Sequence, residues 1–377
     1  MFPITDTVRH LIFILGSAFI GFGIAITLAK PFIKLLHHFK IGKNIRETAS
    51  DGKPATLFNA LHQKKSGTPT MGGVLIWGSV LLTIGMSRIL SYTGFFEHSL
   101  LNRKETYLPI LTLVAVALLG ALDDVFNIKG WGKSKGINIK PKFFTLTLFA
   151  LLGALWFYFK LGYNQIHLPG IGDFTIGFWY IPLFIFIITA SANAVNITDG
   201  LDGLSGGLII IAFGAYSALA YAHGLLILSA FCALISGTSL AFLWFNIAPA
   251  KFYMGDTGAL SLGATLGVIA MLTNTVAILP FIAFIFVIET LSVVAQLSSK
   301  KLFGKKIFHI APIHHHFEHI GWPETQVVMR FWIIGGLVAT FGLILGLIGM
   351  GIGKTWIDNS FNVYHNIFRR SDYLFFH

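Results

Sequence analysis

Long uninterrupted apolar stretches dominate the chain. Ten of them, at about residues 11–29, 71–90, 107–122, 143–159, 178–195, 204–221, 224–245, 258–275, 278–297 and 328–350, approach or reach membrane-crossing length. A hydrocarbon core about 30 Å thick takes roughly 20 apolar residues per helix, and lipid offers no partner to an unpaired backbone group. The pattern therefore predicts an all-α polytopic integral membrane protein of about ten transmembrane helices. The run 11–29 reads as the first membrane span and not as a cleaved leader, since Lys30, Pro31 and Phe32 follow it in place of a small-residue cleavage site. In the connector 161–177, Gly162, Pro169, Gly170, Gly172 and Gly177 break short apolar stretches and predict a small outer hairpin. Residues 1–377 read as one membrane-embedded unit, with 351–377 as an outward-facing tail.

Composition agrees. Apolar residues make up 55% and charged residues 11%, against roughly 45–50% and 25% in soluble domains. The net charge of +11 by itself admits a nucleic-acid binder, and the apolar runs exclude that reading. Consecutive crossings put connectors 30–70, 123–142, 196–203, 246–257 and 298–327 on one side, with 18 of the 27 Lys and Arg. The positive-inside rule makes that side cytoplasmic and turns both termini outward. Residues 30–46 and 299–310 mix Lys with Ile, Leu and Phe, as surface-lying segments near anionic lipid do. The single cysteine, Cys232, lies in an apolar run and reads as a small buried hydrophobe.

Polar chemistry gathers on the lysine-rich side. Asp123 and Asp124 close an apolar run, and adjacent carboxylates at a helix end invite a hard cation such as Mg²⁺ or a shared proton. The stretch 193–207 packs Asn196, Asp199 and Asp202 among four glycines, a composition that allows backbone to approach a phosphate. It lacks the spacing and terminal Glu of a calcium loop. From Asn246 to Gly258 a third loop offers Asp256 beside glycine. His314, His315, His316 and His319 fall within six positions, and imidazoles at that density contact phosphate or bind metal. Lys64 to Gly73 has the composition of a phosphate loop without the Walker spacing. Glu289 is the acidic residue well inside a span, so a cation-coupled transporter is the rival class, although its binding site belongs near the bilayer midplane.

Taken in order, these motifs resemble the polyprenyl-phosphate N-acetylhexosamine-1-phosphate transferases. The string Ala311 to His319, continuing through Gly321 and Trp322, is similar to the signature of the phospho-N-acetylmuramoyl-pentapeptide transferases. Residues 64–73 and 193–207 agree, so the resemblance covers roughly residues 60–330. One departure is Asn127, where many members carry Lys at the fifth position from the start of the aspartate pair.

The resemblance implies ten transmembrane helices in the bacterial cytoplasmic (inner) membrane, a cytoplasmic active site, Mg²⁺ as cofactor and a homodimer. It implies transfer of phospho-N-acetylmuramoyl-pentapeptide from its UDP carrier to undecaprenyl phosphate, giving lipid I and UMP, with no role for nucleic acid. Carried onto this chain, it makes Asp256 the metal ligand, Asp123 the group that deprotonates or orients the lipid phosphate, and Asp124 part of the charge balance. Asn196, Asp199, Asp202 and Asn246 would hold the nucleotide side; His314, His315 and His316 would contact phosphate, with His314 counted as catalytic. Lys64 and Lys142 would supply positive charge. A covalent aspartyl intermediate and a transferase of plain UDP-N-acetylhexosamine stay open as alternatives.

Overall fold

The computed structural model describes residues 6–39, 41–42, 67–93, 99–102, 104–131, 137 and 139–352. Lys64 and the tail 353–377 lie outside the described residues. The helices are α1 (Asp6–His38), α2 (Gly73–Tyr92), α3 (Tyr107–Ile128), α4 (Ile139–Leu155), α5 (Tyr180–Thr198), α6 (Leu204–Ala222), α7 (Leu226–Asn246), α8 (Gly255–Leu272), α9 (Leu279–Ile282), α10 (Phe284–Phe303), α11 (Ile313–His319) and α12 (Glu324–Ile352). The predicted hairpin is present: β1 (Gln165–Leu168) pairs antiparallel with β2 (Gly172–Thr175), Gln165 opposite Thr175.

Nine helices among the described residues are long and apolar enough to cross a membrane. The remaining predicted segment, 278–297, is broken at Ala283 into the short α9 and the longer α10. α10 is less uniformly apolar because it buries Glu289, Ser292, Gln296 and Ser299 along one face while Leu291, Val294 and Leu297 stay exposed on another. An apolar surround turns such a helix inside out: polar groups must find partners in the protein, and leucines can face lipid.

α8 is the axis of the molecule. Every residue from Thr257 to Leu272 is buried, and α2, α3, α5 and α6 pack around it. Small residues permit the closest approaches. A Cβ on Gly73 would lie 2.2 Å from the Gly258 backbone, and one on Gly120 would lie 2.2 Å from the Asp256 carbonyl oxygen. In lipid, helices associate through such close packing, because apolar burial gives little driving force there. Exposed Phe19, Ile89, Phe186, Trp244 and Leu337 face outward, as lipid-facing side chains do.

Alternation of crossings gives the bundle two unlike ends. The C-terminal ends of α3, α5, α7 and α10 and the N-terminal ends of α4, α6, α8 and α12 share one end, and every described candidate residue belongs to it. The hairpin belongs to the other end, where the His167 amide donates to Asn274 Oδ1 and His167 Nδ1 pairs with Asp173 at 2.7 Å.

Candidate active site

α3 runs nearly two turns further than the apolar pattern predicts, to Ile128, so Asp123 and Asp124 sit within the helix and are buried. The extension survives because both carboxylates are answered by the neighbouring elements. Lys142 Nζ, from the first turn of α4, donates to Asp123 Oδ2 at 2.9 Å and also to Asp256 Oδ2. The Ile137 amide donates to Asp123 Oδ1 at 2.6 Å, and Asn196 Nδ2 donates to Asp256 Oδ1 at 2.8 Å. Carboxylates from α3 and α8 thus meet at one ammonium from α4, and Asn196 of α5 holds the other oxygen of Asp256.

Asp124 is used differently. Its oxygens accept from the backbone N–H groups of Asp256 (3.1 Å) and Thr257 (3.0 Å). Those are orphan donors of the α8 N-terminus, so a carboxylate from α3 caps another helix and favours its positive end. Gly255, at φ +74°, brings this terminus so close that a Cβ there would meet Asp124 Oδ2 at 2.6 Å and Thr70 Oγ1 at 2.8 Å. Trp77 Nε1 donates to Thr257 Oγ1, which donates in turn to the Ala117 carbonyl. The described end of the threonine-glycine motif is laced to the same place: the Gly72 and Gly73 amides donate to the Tyr253 and Met254 carbonyls, each at 2.7 Å.

The nucleotide-side candidates divide into two groups. Asn196 and Asp199 are half-buried, and Asp199 accepts from Ser205 Oγ. Asp202 and Asn246 are buried and tie loops together: Asp202 Oδ2 accepts from the Ala250 amide, while Asn246 bonds the Gly203 amide and the Phe252 carbonyl. Glu324, which sequence reasoning passed over, accepts from the Asp202 amide at 2.7 Å. Its position just ahead of the last apolar run was the available signal.

The histidine run also divides. His314 and His315 are buried, whereas His316 is half-buried, stacks on His309 with ring centroids 5.3 Å apart, and has His319 nearby. Burial and then the neighbouring His309 and His319 lower the pKa of His316 below the ordinary imidazole value. Glu289 accounts for its own burial by pairing with His314 Nδ1 at 2.9 Å.

Chemically, two carboxylates from α3 and α8 converge on one positive point, with an amide beside them. Hard oxygen donors of this kind suit Mg²⁺, which holds few protein ligands and keeps water and substrate oxygens. Among the described residues no three of His, Cys, Asp or Glu enclose an ion by themselves, so Asp256 and Asp123 are the side chains that could hold one. The lysine between them suits an anion that arrives with it.

Comparison with known proteins gives concordant matches. Residues 107–274 match the model of glycosyl transferase family 4, and residues 65–76 match phospho-N-acetylmuramoyl-pentapeptide-transferase signature 1. A phospho-N-acetylmuramoyl-pentapeptide-transferase of Geobacillus sp. is 40% identical over 86% of this chain and 95% of its own length. Proteins of the same name from Anoxybacillus flavithermus and Chloroflexus aggregans are 39% and 36% identical, covering 89% and 94% of this chain and 97% and 94% of their own lengths.

Proposed function

Because the chain belongs to the phospho-N-acetylmuramoyl-pentapeptide-transferase family, we propose that it transfers phospho-N-acetylmuramoyl-pentapeptide from its UDP-linked donor to undecaprenyl phosphate, forming lipid I and releasing UMP. It is a multi-pass membrane transferase. On this reading it works in the bacterial inner membrane with its polar end toward the cytoplasm, as the lysine asymmetry supports, and as a homodimer. The observation that carries the proposal is the meeting of Asp123, Lys142, Asn196 and Asp256 at one point.

The reaction joins two anions. An oxygen of the lipid phosphate bonds to the β-phosphorus of the UDP-sugar while the bond from that phosphorus to the bridging oxygen breaks, and UMP carries the electron pair away. Mg²⁺, held by Asp256 with Asp123 beside it, would supply positive charge that lowers the repulsion. Asp123 orients the attacking lipid phosphate or takes its proton, and Ile137 and Lys142 fix that carboxylate. Lys142 holds the two aspartates together and offers positive charge to either phosphate. Asn196 orients Asp256, and Asp124 sets the α8 terminus on which Asp256 stands. Asn196 and Asp199 face the nucleotide, while Asp202 and Asn246 hold the loop that presents them. His314 and His315 contact phosphate, and His316 lies at the rim.

The test supplies purified protein with Mg²⁺, undecaprenyl phosphate and either UDP-N-acetylmuramoyl-pentapeptide or a plain UDP-N-acetylhexosamine, and follows UMP. Release that needs the lipid phosphate and the pentapeptide donor is expected. Release with only the plain sugar would move the chain to the neighbouring specificity. Uptake into proteoliposomes with no UMP formed would make it a transporter.

A further inference from the structure

The chain passes from α5 to α6 through the turn 199–203, just beyond Asn196. The backbone of this turn is held from two sides. On one side stands the loop after α7: the Gly203 amide donates to Asn246 Oδ1 at 3.1 Å, and the Ala250 amide donates to Asp202 Oδ2 at 2.9 Å. On the other stands the start of α12, where Glu324 Oε1 accepts from the Asp202 amide at 2.7 Å. A carboxylate that accepts from an amide makes a charge-assisted bond, roughly twice as strong as a neutral one.

Glu324 is itself set by its surroundings. Gly321, at φ +101°, turns the chain from α11 into α12, and the Trp322 amide closes that corner on the Phe317 carbonyl at 3.0 Å. Trp322 stacks on Phe317 with ring centroids 4.6 Å apart, and the Arg330 guanidinium lies 4.0 Å from the Trp322 ring. Further along α12, Trp332 Nε1 donates to the Leu204 carbonyl at 3.3 Å, and its ring leaves no room for a Cβ at Gly207. α12 therefore grips the start of α6 at two levels, with Glu324 on the turn itself. It packs on α6, α9, α10 and α11, whereas Asp123 and Asp256 stand on α3 and α8.

We propose that Glu324 is a positioning residue for the nucleotide end of the donor: through the Asp202 amide it sets the turn 199–203, and so it governs the affinity for the UDP-sugar and for UMP rather than the transfer step at Asp123 and Asp256. The proposal rests on the transferase reading and deepens it. A turn fixed before the ligand arrives avoids the ordering cost on binding. Without the Glu324 bond, the Asp202 amide loses its acceptor and the turn keeps only its anchors on the loop after α7. Glu324 is half-buried and Asn246 is buried, so a change at Glu324 probes the turn with less disturbance of packing than a change at Asn246.

The experiment measures, in wild type, Glu324→Ala and Glu324→Gln, the KM for the UDP-sugar, the KM for undecaprenyl phosphate, kcat, and the inhibition constant of UMP. Glu324→Ala is expected to raise the donor KM and the UMP constant together by about 10-fold or more, as loss of a hydrogen bond to a charged group allows. The acceptor KM should stay at the wild-type value, and kcat should fall by less than the donor KM rises. Glutamine keeps an acceptor oxygen at the same reach, so Glu324→Gln should bring both donor-side constants back to within about 3-fold of wild type. An unchanged UMP constant in Glu324→Ala, a loss shared equally by donor, acceptor and kcat, or no rescue by glutamine would overturn the proposal. If Glu324→Ala does not fold, Glu324→Asp takes its place: it retains the charge, withdraws the oxygen by one methylene, and should raise the same two constants. Normal constants there would also overturn the proposal. Wild type reports separately on the transferase reading: no UMP from wild type sinks that reading, whereas normal wild-type turnover with an unmoved UMP constant in the variant sinks this inference alone.

Discussion

Lys142 carries two carboxylates on one ammonium. Replacing it by Met leaves Asp123 and Asp256 facing each other without a counter-charge, and preorganised charge at a reacting centre is worth roughly 10²–10³ in rate. Lys142→Met should therefore lower the rate of UMP release by at least about 100-fold while circular dichroism stays unchanged. Asp124→Ala is expected to behave differently. It removes two bonds at the α8 N-terminus, a loss of about 1–2 kcal/mol by analogy with helix caps. Thermal unfolding in detergent should show a lower midpoint, with reduced turnover because Asp256 shifts. Composition and spacing alone showed Asp123 and Asp124 as a pair of equals, and the resemblance gave Asp124 only a part in the charge balance. Their separate tasks depend on which neighbour reaches which oxygen, and adjacent positions on a helix face point about 100° apart.

At the scale of elements, the close approach of α3 to α8 sets the distance between the two catalytic carboxylates. Gly120 lies one turn before Asp123, against the Asp256 carbonyl. Gly120→Val should force the helices apart, cost roughly 1–3 kcal/mol as overpacking does, and reduce turnover more than a glycine change with open space around it, such as Gly78→Val. Measured kcat for the two variants decides it. Sequence periodicity found nearly all the long helices, since twenty apolar residues in lipid have little alternative to a helix. It did not find the break at Ala283 or the inward polar face of α10, because an apolar run with Glu289 in it reads as a span with one odd charge until the partner, His314, is known.

For the whole molecule, the two ends differ in chemistry. At the end opposite the site, burial and then the adjacent His167 lower the pKa of His223 from an ordinary 6.5 to about 4. A histidine kept neutral by the fold favours folding above its unfolded pKa, and that contribution is lost as pH falls from about 6.5 toward 4. The thermal midpoint should therefore drop over that window, and His223→Gln should flatten the drop. Labelling of cysteines introduced at the two ends of the bundle in intact cells tests orientation: the hairpin end should react with an impermeant reagent and the aspartate end should not.

The chain by itself determined the membrane class, the number of long apolar runs, the hairpin and the side on which the polar motifs gather. Each follows from local composition, because lipid forces backbone pairing within a helix and loops carry their charge bias along the chain. The sequence also marked Asp123, Asp256, Asn196 and the histidines as a set, through their motifs. Only the tertiary structure decided that Lys142 joins Asp123 to Asp256, that Asp124 caps α8, that Asp202 and Asn246 stitch loops, and that His316 parts from His314 and His315. Those assignments are contacts between residues up to 133 positions apart, and such contacts exist only once helix packing has fixed which faces meet.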